Sequence, residues 1–470
     1  MSTIQNLFQQ AQLAEAAYAD LSSAIGNQGE LQKALDVAFN GQYGGSFSAA
    51  QAADFVTHWR VVDQYTASGL FGLTDGTGFS ATVFESIGNP GQYSIAMRGT
   101  AGLTDLSADT GDVLADGLAL DQVVDMYNYW QSLHHDLGYT AYELETQLAE
   151  TVQLTALWAQ VAIPGASIYA KGVYDAYRAE LQTAGLIVDM GPLGPSVRKL
   201  ISGDSVVLLT GTPLAVGSGK LIGVNTVDAS GHSLGGHLAM AFSRLFPTAT
   251  SDVVAVNGAG FDLNNGNVNT LFSQLNGAAG FDANKITNVV GSAAMNFVSQ
   301  DWLFLQQPAG RSEIYTESYL PGSGTMLGHG SSQMTDSLAV YNLLATVDTS
   351  LDLDTATGIL KASSNIAANT LESAVSALGK LFMVNGAAGF NGNMFDGNRD
   401  LLYVALNDIR AALPANGGLS LVAADNTILA SAQSNTPDAI AYRYALVEGN
   451  PFIAVGADYG PHNNNNELDL

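Results

Sequence analysis

Ser233 lies in the run "GHSLGG", with Gly231 two places before it and Gly235 two places after. A serine hydroxyl is a poor nucleophile until a neighbouring base takes its proton. The Gly-x-Ser-x-Gly spacing suits a serine lifted clear at a sharp strand-to-helix bend. The residues flanking such a bend crowd together, and a Cβ at Gly231 or Gly235 would collide. Gly236 gives strand and helix further room to approach. The β-branched run "NTVDAS" precedes the motif, and Leu238, Phe242 and Leu245 follow at helical spacing. Such a helix points its free N–H groups at the place where negative charge develops during acyl transfer.

The chain has seven histidines. In the chain order nucleophile, acid, histidine, only those beyond Ser233 qualify as its base. His237 sits one turn into the following helix, which carries it away from the attacking face, and His462 belongs to the tail. His329, in the glycine-rich stretch "GTMLGHGSSQMTD" ahead of a helix, is the expected base. His232 and His237 are expected to be structural or rim residues. The orienting acid should follow a late strand. Asp301 ends the apolar run of "NVVGSAAMNFVSQDW" and is preferred over Asp262 at the end of the preceding strand. Two donors are needed for the oxyanion. The N–H of Leu234 is one, and Thr100, at the strand end "YSIAMRGT", is the other.

Taken together, "AMRGTAG", "GHSLGG", "VSQDW" and "LGHGSS" resemble the α/β-hydrolase lipases. Within them the likeness is greatest to the bacterial lipases and phospholipases that belong with calcium-binding, repeat-bearing secreted proteins. It covers residues 50 to 345 or so. The resemblance implies an α/β-hydrolase fold and a serine carboxylic ester hydrolase acting on lipid-like esters through an acyl-enzyme. Ser233 would be the nucleophile, Asp301 and His329 its partners, and Leu234 and Thr100 the oxyanion donors. The alternatives are phospholipase A1-type or polyester-cleaving chemistry with the same residues, or a non-catalytic secreted binding module on a hydrolase scaffold. No cofactor is required and calcium is optional. The likeness implies a location outside the cell without a Sec signal, and the N-terminal residues, which show no Sec signal, leave the cytoplasm as the alternative. The glycine-rich calcium repeats of that group do not appear, and "DLDTATG" (352–358) lacks the glycine of an EF-hand loop. No metal site is expected.

These residues need a frame. Strand-like runs alternate with helical ones, which predicts an α/β fold with a mainly parallel sheet. Residues 4–40 and 48–65 read as helices, and "FSATVFES" and "QYSIAMRG", split by "IGNPG", as a hairpin. Further strands are expected at 205–209, 221–230, 252–261 and 285–299, and helices at 234–246 and 336–346. Residues 112–190 read as largely helical, with Leu144 and Leu148 on one helical face. An insertion at about 112–195, rich in Tyr127, Tyr129, Trp130 and Trp158, is expected to cover an acyl channel. Residues 1–346 form the expected catalytic domain and 347–470 an appended helix-rich region. Within the latter, "DTSLDLDTATG" reads as turns, 418–432 as a hairpin and the last residues as a free tail.

The chain carries 16 Lys and Arg against 43 Asp and Glu, a net charge of −27. That field repels nucleic acids and anionic bilayers at long range. Contact with uncharged lipid aggregates remains open to it. With no cysteine, disulfides and thiolate chemistry are excluded. A hydrophobic share of 47% is enough to bury a large core.

Overall fold

The structure is a computed structural model. It describes residues 3–36, 47–67, 78–99, 118–136, 140–148, 187–189, 195–197, 206–275, 277–292, 305–316, 329–363, 371–388, 399–414 and 418–469. In chain order these include α1 (Thr3–Ala16), α2 (Gln28–Asp36), α3 (Ala49–His58), β1 (Trp59–Thr66), β2 (Ser80–Ser86), β3 (Tyr93–Met97) and α4 (Leu120–His134). Next come β4 (Thr140–Leu148), β5 (Ile187–Asp189), β6 (Pro195–Val197), β7 (Val206–Val216), β8 (Val227–His232), α5 (Leu234–Leu245) and β9 (Thr250–Val256). They are followed by α6 (Gly266–Gln274), β10 (Ile286–Gly291), β11 (Arg311–Ile314) and α7 (Ser331–Val347). The last are α8 (Leu353–Ser363), α9 (Glu372–Leu381), α10 (Arg399–Ala412), β12 (Ser420–Ala423), α11 (Ile428–Ala432), α12 (Ala439–Glu448) and β13 (Phe452–Val455).

The fold is α/β. Seven strands form one sheet in the order β1-β2-β3-β8-β9-β10-β11. β1 with β2 and β2 with β3 pair antiparallel in a meander, and from β3 through β11 every pairing is parallel. Alternate residues of the inner strands feed opposite faces, the period-two rule of a strand. Val253 and Ala255 pack with α4, α5 and α6, whereas Val254 and Val256 pack with α1 and α7. Ala81 and Val83 face the α4/α5 side, while Phe84 on the other side meets α3 through Phe55. The inner parallel strands β3, β8, β9 and β10 are mostly buried because helices cover both faces.

α1 is laid across the sheet by two polar pins as well as by its apolar stripe. Ser94 donates to Gln10 Oε1 at 3.0 Å, and Asn6 Nδ2 donates to Asp252 at 2.7 Å. Beyond Val347 the chain continues the same core. Leu360, Leu378, Leu406, Tyr444 and Phe452 belong to one buried cluster with Ile4, Leu7, Val254 and Leu338. A polar junction crosses this seam. Arg399 grips Asp336 through Nε and one terminal nitrogen, at 2.7 and 2.8 Å, and reaches Glu15 at 3.1 Å. Tyr403 donates to Asp336 at 3.0 Å, and Gln51 Nε2 to Glu15 at 3.2 Å.

Several sequence expectations are corrected. The helix expected over 48–65 begins as predicted, with Ser48 forming a full capping box with Gln51. It stops at His58, and Trp59–Thr66 forms β1, because those residues pair with β2 along the sheet edge. Leu144 and Leu148 lie on β4, which pairs antiparallel with β7 in a separate two-stranded sheet; pairing across 60 residues overrides the helical spacing. Residues 353–358 open α8, with Asp352 accepting from the Thr355 N–H at 2.7 Å, so that stretch is a helix start and not a turn. β12 pairs with β13, not within 418–432. The tail is packed: Leu468 is buried, its carbonyl accepts from Arg443, and His462 Nε2 donates to the Leu381 carbonyl at 2.9 Å. Among the described residues no helix is long and apolar enough to cross a membrane.

Candidate active site

The carboxyl ends of β3, β8, β9 and β10 come together at one edge of the sheet, where open α/β sheets place their ligands. At the end of β8 the chain turns through Ser233 into α5. Ser233 has φ 57° and ψ −120°, a left-handed conformation for a residue that carries a Cβ. Strain of this kind costs about 1–3 kcal/mol and persists only where the surroundings over-determine it. Here the Ser233 N–H donates to the Val256 carbonyl at 2.9 Å. Its own carbonyl accepts from the N–H groups of His237 and Ala259, at 3.2 and 3.3 Å.

The glycines explain why the bend can exist. A Cβ on Gly231 would strike the Gly235 carbonyl, and one on Gly235 would strike the Met97 carbonyl at the end of β3. A Cβ on Gly236 would stand 2.8 Å from Gly258 Cα. Ser233 is the N-cap of α5, but its side chain caps nothing, so the hydroxyl is available for another partner. That partner is His329. Its Nε2 lies 2.8 Å from Ser233 Oγ, although 96 residues separate them. Leu234 is the first residue of α5, where an N–H has no acceptor within the helix.

Both side chains are buried, Ser233 to 7% and His329 to 6% exposure. Burial, helped by the neighbouring His232 ring, pulls the His329 pKa down to about 3. The imidazole is therefore neutral at neutral pH, the state in which Nε2 can accept the serine proton. An Nδ1–H must then be directed elsewhere, the role expected of Asp301. Asp301 and Thr100 lie outside the described residues, as does Trp158. The rival Asp262 is engaged by its own loop, accepting from the N–H groups of Asn264 and Asn265 at 3.1 Å each.

The two other histidines near the bend are fully buried. His237 Nδ1–H donates to the Gly260 carbonyl at 3.0 Å, and its Nε2 accepts from the Ala119 N–H at 3.3 Å. Its ring stacks on Phe261, facing the core behind the serine. His232 Nε2 lies 2.5 Å from the His329 carbonyl, and its Nδ1 lies 2.9 Å from the Tyr18 hydroxyl. Burial lowers both pKa values to about 4.

Sequence reading missed two contributors. Asn257, at the end of β9, has φ 49°; its Nδ2 donates to the His329 carbonyl at 3.3 Å and its Oδ1 accepts from the Gly291 N–H at 3.1 Å. Its place in "VNGAG", a polar residue closing an apolar strand, was the available signal. Tyr18 follows α1 and has no motif around it. Of the insertion expected at about 112–195, α4 is described. It lies against α5, with Tyr129 and Trp130 buried and Trp130 set edge-on to Phe242 at 4.8 Å. These two rings belong to the core, and Trp158 with most of the insertion lies outside the described residues.

Among the described residues no group of three or more His, Asp or Glu side chains could hold a metal ion. No protein-family model matches the chain, and no curated protein matches it. Among solved structures the chain is similar to the crystal structure of M37 lipase, with 13% identity and a TM-score of 0.26 over 64% of this chain and 70% of that one. A likeness at that level identifies no family.

Proposed function

We propose that the protein is a serine carboxylic ester hydrolase of the α/β-hydrolase type. One observation carries the reading: a strained serine between a parallel strand and a helix, its Oγ 2.8 Å from the Nε2 of a neutral histidine. Each half is costly without the other, since strain and a desolvated imidazole both spend stability.

Ser233 Oγ attacks the ester carbonyl carbon while its proton passes to His329 Nε2. The C=O electron pair moves to oxygen, which the Leu234 N–H and Thr100 stabilise. Collapse of the tetrahedral species breaks the C–O bond, and the leaving alkoxide takes the proton from Nε2. Water then attacks the acyl-Ser233 ester with His329 again as base, and the acid leaves. Asp301 holds the imidazole in the tautomer with Nδ1 protonated. Lipid-like esters are the substrate class the sequence resemblance favours, and the −27 charge selects against anionic surfaces.

The test is labelling with a fluorophosphonate, followed by a panel of esters graded in chain length. One equivalent of label at Ser233, lost in Ser233→Ala together with ester hydrolysis, is the expected result. Folded protein that neither labels nor cleaves any ester is a binding module on a hydrolase-like scaffold, and the proposal fails.

A further inference from the structure

The His329 ring has to meet a hydroxyl at hydrogen-bond distance, yet His329 sits only two residues before α7 begins and its main chain needs anchoring. Two side chains supply the anchor at one atom. The His329 carbonyl accepts from His232 Nε2–H and from Asn257 Nδ2. A carbonyl can only accept, so His232 must carry its proton on Nε2. With the proton on Nδ1, an Nε2 lone pair would face the carbonyl lone pairs at 2.5 Å.

The other nitrogen of His232 decides which tautomer is present. Nδ1 faces the Tyr18 hydroxyl at 2.9 Å. With Nε2–H committed to the carbonyl, the neutral ring offers Nδ1 only as a lone pair, so the Tyr18 O–H donates to it. Gly99 is pressed against the same pair: a Cβ there would strike both the Tyr18 hydroxyl and the His232 carbonyl. Three distant segments thus meet at one phenol, and Gly99 immediately precedes the expected oxyanion donor Thr100.

We propose that Tyr18 is a positioning residue for the hydrolytic site: its hydroxyl locks His232 in the Nε2–H tautomer, and that N–H holds the His329 backbone so that the ring reaches Ser233. The inference rests on the reading of Ser233 and His329 as nucleophile and base. Tyr18 touches neither substrate nor reacting atoms, and its influence runs through His232. Small displacements of a catalytic group are costly, because attack needs aligned atoms at near-contact distance.

Two measurements on the whole chain test it. The first is imidazole ¹⁵N–¹H correlation NMR at pH 7, with the His232 signals assigned by substitution. Wild-type His232 should show Nε2 protonated and Nδ1 bare, and Tyr18→Phe should shift it toward a tautomer mixture. The second is kinetic: Tyr18→Phe should lower kcat and the fluorophosphonate labelling rate constant about tenfold, with KM and the labelling amplitude unchanged, whereas loss of folded molecules would lower the amplitude and leave the rate constant. An Nδ1–H tautomer in the wild type overturns the proposal whether or not the variant folds. So does an unchanged tautomer or unchanged kcat in Tyr18→Phe. A wild-type protein without ester hydrolysis sinks the catalytic reading instead, while the tautomer measurement still reports on the Tyr18–His232 lock.

Discussion

The bend at Ser233 and the junction at Arg399 both take polar side chains away from water, and they treat them in opposite ways. At the bend every group is neutral and one bond is kept for use: Ser233 caps nothing and faces His329. At the junction the groups are ionic and bonded from several sides. Burial alone would lower the Arg399 pKa, but the Asp336 and Glu15 carboxylates outweigh it and hold the guanidinium well above its ordinary value. Glu15 is pushed up by the same burial, with Arg399 pulling the other way. The difference teaches where chemistry can be done. A buried neutral pair keeps one bond that can change partner when a substrate arrives, whereas a buried ion cluster resists any change of charge.

The sharpest way to break this contrast is to remove one member of each. His329→Ala should lower kcat/KM for a short ester by about 10³–10⁴ while leaving the denaturation midpoint nearly in place. Arg399→Met should do the reverse. Two carboxylates left without their cation cost about 3–5 kcal/mol, read by urea unfolding, with activity per folded molecule retained. If Arg399→Met silences the enzyme without unfolding it, the two regions are coupled and the contrast is wrong.

A smaller effect is expected from pH. His232 and His237 are held near 4 and His329 near 3 in the fold, by burial first, against 6.5 when unfolded. The unfolded chain therefore binds protons first as pH drops, so stability is full above 6.5 and declines toward 4. Between pH 6.5 and 5 each histidine should remove about 2 kcal/mol, and His237→Gln should flatten that slope by one share. Glu15, shifted upward, opposes the trend in part. Smallest is the exposed pair Lys380–Glu448 at 3.2 Å, which joins two helices of the same C-terminal region. Lys380→Ala should change the unfolding free energy by less than about 1 kcal/mol, the ordinary worth of a solvated ion pair.

The bend was legible because its physics is local. Gly231 and Gly235 are required within five residues of chain, and alternation or helical spacing marks the strand and helix on either side. His329 could be approached by chain order and by elimination among few histidines. The hairpin at "IGNPG" and the α/β class were legible for the same local reason. What lay beyond reach depends on distant partners. Trp59–Thr66 continues a helical pattern until β2 claims it, and Leu144 and Leu148 belong to a strand only because β7 pairs with them. Arg399 carries no local sign of its part, since nothing nearby in the chain announces Glu15 or Asp336. Tyr18 is the extreme case, a residue whose part is set by positions 99, 232 and 329.

The bond between Glu15 and Arg399 spans 384 residues of chain. During synthesis at about 5–20 residues per second, α1 leaves the ribosome roughly 20 to 80 s before the arginine that completes its surroundings. For most of that interval the stripe of Ile4, Leu7 and Phe8 has no α7 to cover it. The N-terminal helix therefore needs a chaperone's shelter for longer than elements whose partners follow them closely in the chain.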